Sequence, residues 1–344
     1  MLKITMFSSA DKVAGQGVGS AYLELVHLLE NNFQDEFDIA INKYRPSTIS
    51  HYHTIDLPFY FSTFSAKRGR KIGYVHFLPE TLEGSLKIPQ PFRGIFYRYV
   101  IAFYKRMDHL VVVNPSFIDK LVAYGIPKEK ISYIPNFVDS DHFHPVTPAE
   151  KKALRDKYHL PQDRFIVFGS GQVQERKGVP DFIQLARQNE DVQFVWAGGF
   201  SFGRLTDGYR ELKQVVDNPP ENLRFTGIVS RDEIVELNNA ADLFLLPSYN
   251  ELFPMSVLEA FSCGNAVMLR DLDLYHSIIA GDYEPAENLD EMQMKLTLLR
   301  NDPARLAHWQ HQAHLAAQCY SKEHLAQVWH DFYYQQAQEE KTRE

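Results

Sequence analysis

Cysteine is nearly absent from this chain: 344 residues hold two, Cys263 and Cys319. Neither has metal-ligand spacing, which excludes a disulfide scaffold and a thiolate zinc site and fits a reducing compartment. Long apolar runs are also missing. None approaches the roughly 20 residues of a membrane-spanning helix, and the opening stretch Met1 to Phe7 reads as a strand, not a signal peptide. Repeats, low-complexity tracts and a disordered linker are lacking. A net charge of −8, without a recognition motif, argues against nucleic acid as a partner. The acidic pairs Asp139/Asp141 and Asp271/Asp273 have no further acid or histidine nearby, so no metal site is expected and a magnesium requirement is not predicted.

The apolar fraction, 44%, is that of an ordinary globular protein, and the length suggests two domains. Short apolar strands (Ile4 to Phe7, Phe37 to Ile41, Ile72 to Val75, Leu110 to Val113, Ile131 to Ile134) alternate with helical patterns such as Ala21 to Leu29, which predicts a parallel α/β sheet. A Pro-punctuated stretch from Pro135 to Pro145 closes this series. A second follows at Phe165 to Phe168, Gln193 to Trp196, Leu223 to Phe225, Leu243 to Leu246 and Ala266 to Leu269. The expected architecture is α/β with two doubly wound, Rossmann-like domains, 1–145 and 146–320. The tail from about Asp302 is helical, and its last part, 321–344, is expected to cross back to the first domain.

The most informative segment runs from Pro247 to Gly264. A buried strand ends at Pro247 and a helix starts near Pro254, which sets Glu251 at the junction and Glu259 two turns further on. The first turn of such a helix offers unpaired amides and a positive dipole end, so a carboxylate, a sugar hydroxyl and a phosphate could meet there. A solvated pair of helical acids fits the segment taken alone equally well. Arg176-Lys177-Gly178 opens a helix in the same domain, where a lysine can neutralise a diphosphate.

In the first domain, Gly15, Gly17, Val18 and Gly19 lie between a strand and a helix, the context of a phosphate-cradling loop. The spacing is not G-x-G-x-x-G, and Asp35 and Glu36 precede the second strand instead of ending it, so NAD is not the expected ligand. His76 ends the strand Ile72 to Val75, at the carboxyl edge where open α/β sheets bind ligands.

Charge is distributed unevenly. Residues 1 to 145 carry 16 basic and 14 acidic side chains. Between residues 67 and 106 nine cations (Lys67, Arg68, Arg70, Lys71, Lys87, Arg93, Arg98, Lys105, Arg106) face two acids, Glu80 and Glu83. In the same segment Phe92, Phe96, Tyr99 and Phe103 recur at helical spacing. Aromatic and basic faces together suit an anionic lipid interface. A core helix with solvated cations fits this helix as well; the cluster Lys67 to Lys71 favours membrane contact.

Taken in order, the glycine loop, His76, the stretch Tyr133 to Asp139, Lys177-Gly178, Phe225 to Gly227 and the two glutamates resemble the retaining glycosyltransferases of family four, with the GT-B architecture of two Rossmann-like domains facing across a cleft. That resemblance implies roles. Glu259 would bind the donor ribose, and the amides of Phe253, Met255 and Ser256 with the glycine loop would hold donor and phosphates. Ile228 would meet the uracil, and Lys177 would stabilise the departing diphosphate. Glu251 and His76 would touch the transferred hexose. Where the family usually has arginine before the lysine, this chain has Gln172, and Arg176 could supply the charge; Pro254 replaces a common glycine and offers no amide.

The segments Ser8 to Ser20 and Tyr74 to Leu86 are most similar to the Gram-positive galactosyltransferases that extend glucosyl-diacylglycerol. That similarity implies UDP-galactose, or UDP-glucose, as donor and glucosyl-diacylglycerol as acceptor; the alternative is a family-four transferase acting on a soluble or polysaccharide acceptor. The product would be a dihexosyl-diacylglycerol serving as a membrane lipid or lipoteichoic-acid anchor. The enzyme would be cytoplasmic and peripheral on the inner face of the membrane.

Overall fold

The computed structural model describes residues 1–10, 17–79, 90–201, 203, 206 and 208–342. Among them, twelve strands form two six-stranded parallel sheets, one in each of two compact units.

The first unit comprises the described residues of Met1–Glu83, Ile88–Phe137 and Lys322–Glu344. Its strands are β1 (Leu2–Phe7), β2 (Phe37–Ile41), β3 (Ile49–Tyr52), β4 (Arg70–Val75), β5 (His109–Val112) and β6 (Ile131–Tyr133), in the order β2-β1-β3-β4-β5-β6. The order reverses between β1 and β3, and their carboxyl ends form a crevice there. The polar strand β3, Ile-Ser-His-Tyr, is wholly buried although its composition does not announce a strand. Its His51 Nδ1 shares a 2.8 Å hydrogen bond with the Tyr333 hydroxyl. Tyr333 belongs to the last helix, Lys322–Lys341, which buries Trp329 and Tyr333 against this sheet.

The second unit holds β7 (Ile166–Ser170), β8 (Gln193–Ala197), β9 (Leu223–Gly227), β10 (Leu243–Leu246), β11 (Ala266–Arg270) and β12 (Glu284–Ala286), in the order β12-β11-β10-β7-β8-β9. Strands β7, β10 and β11 are buried end to end, as continuous apolar runs in a sheet covered on both faces must be. Here the switch point lies between β7 and β10.

The units divide at Phe137/Val138, ahead of Pro145, because the intervening segment is bonded into the second unit. Val138 N donates to Tyr320 O (3.2 Å), Ser262 Oγ to Phe143 O (2.6 Å) and Asn239 Nδ2 to His144 O (3.0 Å). The helix Pro303–Cys319 belongs to the second unit and the helix Lys322–Lys341 to the first.

Candidate functional site

Two loops meet at the switch point of the second sheet. After β7 the chain makes one tight turn, Glu175–Lys177, and then Gly178 in the left-handed region (φ 69°) before the helix Val179–Gln188. A Cβ at Gly178 would lie 2.0 Å from the carbonyl oxygen of Pro247, so this close approach needs glycine. After β10 the chain runs from Pro247 to Glu251. The two loops bond reciprocally: Tyr249 N donates to Arg176 O (2.8 Å), and Arg176 Nη1 donates to Asn250 O (2.5 Å).

That framework brings Lys177 and Glu251 together. Lys177 Nζ donates to Glu251 Oε1 at 2.5 Å, Ser248 Oγ donates to the same oxygen at 2.6 Å, and Arg176 Nη1 stands 4.0 Å from Oε2. The lysine and glutamate side chains are only 13% and 6% exposed. Burial lowers the Lys177 pKa, with Glu251 opposing the shift. Burial also works against the Glu251 carboxylate, but Lys177, Arg176 and Ser248 together hold its pKa below the usual range. The ion pair with Glu251 thus opposes what burial does to the Lys177 ammonium, and the carboxylate form of Glu251 is the one this setting favours.

The helix Met255–Ser262 begins after Pro254 without a side-chain cap and without an acid in its first turn. The amides of Met255 and Ser256 lie there, at the positive end of the dipole. Glu259 is buried on this helix, and Phe253, just before it, packs edge-on against Tyr320 at 5.0 Å. Ile228, half exposed, directly follows β9. Beside it the backbone interlocks: Gly171 N donates to Ala197 O (2.9 Å), Val173 N to Gly199 O (2.9 Å) and Gly198 N to Gly227 O (2.8 Å). A Cβ on Gly198 would sit 1.8 Å from Gly171 O, so this close approach of the two loops needs glycine. Gln172 accepts from Gln174 Nε2 at 2.9 Å, in the same loop as Arg176.

The edge of the first sheet is different. His76 follows β4 and His53 follows β3; their rings stack with centroids 5.8 Å apart, and Tyr74 lies 4.3 Å from His76. Burial holds His76 and His51 at a pKa of about 3 and His53 well below its ordinary value. These imidazoles are neutral. Among the described residues, His76 Nε2 and both nitrogens of His53 have no hydrogen-bond partner. Gly17, Val18 and Gly19 open the helix Gly17–Asn32, and a Cβ on Gly19 would approach Ala10 O to 3.0 Å; Gly15 lies outside the described residues.

Comparison with known proteins adds the family. The profile of Glycosyl transferases group 1 matches residues 150–315, and that of Glycosyltransferase Family 4 matches residues 32–142. The chain is 54% identical over 337 residues to the alpha-galactosylglucosyldiacylglycerol synthase of Streptococcus pneumoniae, covering 98% of this chain and 90% of that one. This chain belongs to glycosyltransferase family 4. A processive diacylglycerol alpha-glucosyltransferase of Acholeplasma laidlawii is 29% identical over 54% of this chain and 58% of its own length. Among solved structures, Anabaena HepE in complex with UDP and glucose superposes with a TM-score of 0.79 at 15% identity, over 97% of this chain and 100% of that one. Sucrose-phosphate synthase from Thermosynechococcus elongatus gives 0.80 at 15% identity, over 97% and 99%. The fold is GT-B.

In this glycosyltransferase the basic aromatic surface of the first unit is narrower than its sequence suggests. Arg68 is buried, donates to Arg45 O (2.6 Å) and lies over the Phe7 and Tyr44 rings. Arg70 is buried against Gln336 (2.9 Å) and Glu339 of the last helix, and Lys71 pairs with Asp108 at 2.9 Å. Phe103 is a core residue, and Tyr99 spends its hydroxyl on Ile55 O. Arg106 donates to Thr63 O (3.0 Å) and covers the Phe64 ring at 4.3 Å. A bilayer cannot reach Arg68, Arg70 or Phe103, because the fold consumes those side chains; the cations cluster in sequence without clustering on the surface.

What stays outside is a different set. Phe92 (63% exposed) and Ile95 (66%) lie on the helix Gln90–Lys105, where Phe96 is half-buried and Arg93 lies 6.0 Å from the Tyr97 ring. Phe61 (66%) lies on the helix Leu57–Ser62 and Phe64 (60%) just beyond it. Tyr60 joins the two helices, 5.5 Å from the Tyr99 ring and 5.8 Å from Phe103. Lys67, Arg98 and Lys105 are exposed on the same unit. Phe61 and Phe64 escaped the sequence reading because Leu-Pro-Phe-Tyr-Phe-Ser resembles a core segment. Among the described residues, no helix is long and apolar enough to cross a membrane, and no group of three His, Cys, Asp or Glu could hold a metal ion.

Proposed function

We propose that this glycosyltransferase moves galactose from UDP-galactose to glucosyl-diacylglycerol with retention, giving an α-linked dihexosyl-diacylglycerol. The 54% identity to the streptococcal synthase, spread over nearly the full chain, carries the acceptor and the sugar. The buried Lys177–Glu251 pair carries the chemistry. Retention requires the acceptor hydroxyl to approach the face that UDP leaves, through an oxocarbenium-like state in which charge separates. Fixed cations and amides set around the diphosphate stabilise that state more than the ground state. Lys177 exchanges part of its bond to Glu251 for the departing β-phosphate, and Arg176 supplies the charge that Gln172 does not. The leaving phosphate accepts the acceptor's proton, so no separate strong base is needed.

Around that centre, Glu259 binds the ribose, the first-turn amides at Met255 and Ser256 hold phosphate, and Ile228 meets the uracil. Glu251 and neutral His76 touch the hexose. The enzyme works as a peripheral protein on the inner leaflet, through the exposed Phe61, Phe64, Phe92 and Ile95 together with the exposed cations Lys67, Arg98 and Lys105 of the same unit; apolar insertion and attraction to anionic lipid add.

The test offers UDP-galactose and UDP-glucose, side by side, to glucosyl-diacylglycerol in anionic vesicles, with the lipid product read by mass and anomeric coupling. One added α-hexose from UDP-galactose supports the proposal. Product from UDP-glucose alone keeps the mechanism and changes the sugar; donor hydrolysis without lipid product moves the acceptor to a soluble glycan.

A further inference from the structure

Glu251 sits in a loop that has no regular secondary structure between β10 and the helix Met255–Ser262. Something other than sheet or helix bonds must hold its carboxylate against Lys177. Three side chains outside the site do so. Arg270, at the end of β11, is buried and donates from Nε to Pro247 O (3.2 Å) and from Nη1 to Glu287 O (3.0 Å). Its Nη2 pairs with Asp181 Oδ2, in the first turn of the helix Val179–Gln188. Tyr249, inside the loop, donates its hydroxyl to that same Asp181 oxygen at 2.7 Å, and its ring lies 4.0 Å from the Arg270 guanidinium carbon.

We infer that Arg270, Asp181 and Tyr249 form a clamp of positioning residues that fixes the Glu251 loop in register with Lys177. The inference rests on the assignment of Glu251 and Lys177 to the transfer site. The Tyr249 ring is 54% exposed, so core burial does not account for its orientation. It covers the guanidinium of Arg270, which desolvates the Arg270–Asp181 pair and strengthens it. The same residue's backbone amide binds Arg176 O, so one residue ties the loop by its side chain to β11 and to the helix after Gly178, and by its backbone to the segment bearing Lys177. Releasing Tyr249 frees the loop to drift, and small displacements of a reacting group are expensive in rate while inexpensive in stability.

The experiment compares Tyr249→Phe, Tyr249→Ala and Arg270→Lys with Glu251→Gln, all in the full chain on vesicles carrying glucosyl-diacylglycerol. It records kcat, donor KM, UDP affinity and the melting temperature. Tyr249→Phe is expected to lower kcat about tenfold and Tyr249→Ala about a hundredfold. UDP affinity should stay within about twofold and the melting point within about 2 °C, because neither the nucleotide contacts nor the core is touched. Arg270→Lys, which loses the fork, should fall between the two. Wild-type kcat in both Tyr249 variants, with Glu251→Gln inactive, overturns the clamp and leaves the site intact. A joint fall of kcat, UDP affinity and melting temperature makes these residues merely structural and also overturns it. Wild-type transfer by Glu251→Gln refutes the underlying site whatever Tyr249 does.

Discussion

The carboxyl edges of the two sheets are built alike and equipped in opposite ways. In the second unit the switch point between β7 and β10 holds opposite charges in contact, Lys177 and Glu251, with Arg176 4.0 Å from the carboxylate. In the first unit, beside the switch point between β1 and β3, the edge holds the stacked neutral rings of His53 and His76. A reaction that separates charge needs fixed cations only where the leaving group departs; the hexose and acceptor are neutral and are better met by neutral donors and acceptors. On the function proposed above, one topology would carry the electrostatic work in one unit and hydroxyl recognition in the other.

The comparison can be broken by exchanging what the edges hold. Glu251→Gln removes the partner that keeps Lys177 in place and should lower kcat by about two orders of magnitude, with UDP affinity changed far less. His76→Phe should cost about three- to tenfold in kcat/KM, a neutral hydrogen bond's worth, with no greater loss at pH 8 than at pH 6. Each is read from steady-state transfer to lipid; a histidine effect larger than the glutamate effect would reverse the division of labour.

The membrane surface sharpens it further. Phe61→Ala with Phe64→Ala should weaken vesicle binding about tenfold or more, the apolar area of two aromatic rings, while Lys67→Ala should weaken it about fivefold on anionic lipid and not at all on neutral lipid. Arg70→Ala should leave vesicle binding unchanged and lower the melting temperature, since its partners are Gln336 and Glu339. Sedimentation with vesicles, beside a thermal melt, separates the two.

A last contrast concerns pH and stability. His51 and His76 have folded pKa values of about 3, below the unfolded value near 6.5. Below about pH 6.5 the unfolded chain binds protons that the folded chain refuses, so the stability they allow is complete at neutral pH and is lost as pH falls towards 3, by at most about 1.4 kcal/mol per pH unit for each histidine. Melting temperatures between pH 7 and pH 4.5 should decline less steeply in His51→Phe combined with His76→Phe than in the parent; parallel declines would contradict the burial of neutral imidazoles.

Most of the fold was legible because parallel strands buried on both faces advertise themselves: Leu243–Leu246 is apolar throughout, buried end to end, and stands where the pattern put it. β3 and β12 were not legible. Ile-Ser-His-Tyr is buried by partners remote in sequence, Tyr333 among them, and Glu-Pro-Ala is an edge strand whose Glu284 is held by Arg305 at 2.9 Å. At the site, residue types and spacing gave Lys177 and Glu251, but not their direct bond across 74 residues, nor Ser248 beside them, nor the contacts of Asp181 with Tyr249 and Arg270, which span 68 and 89 residues. The polybasic segment misled for the same reason: Lys67 faces water while Arg68 and Arg70 face the interior, and charge counts carry no direction.

The most direct test of charge stabilisation at the second edge is single-turnover transfer from UDP-galactose by Lys177→Ala, prebound to vesicles carrying glucosyl-diacylglycerol. The account predicts a rate lower by about a hundredfold or more, with vesicle binding close to that of the parent. A rate within about threefold of the parent, or a loss matched by an equal loss of vesicle binding, would contradict it.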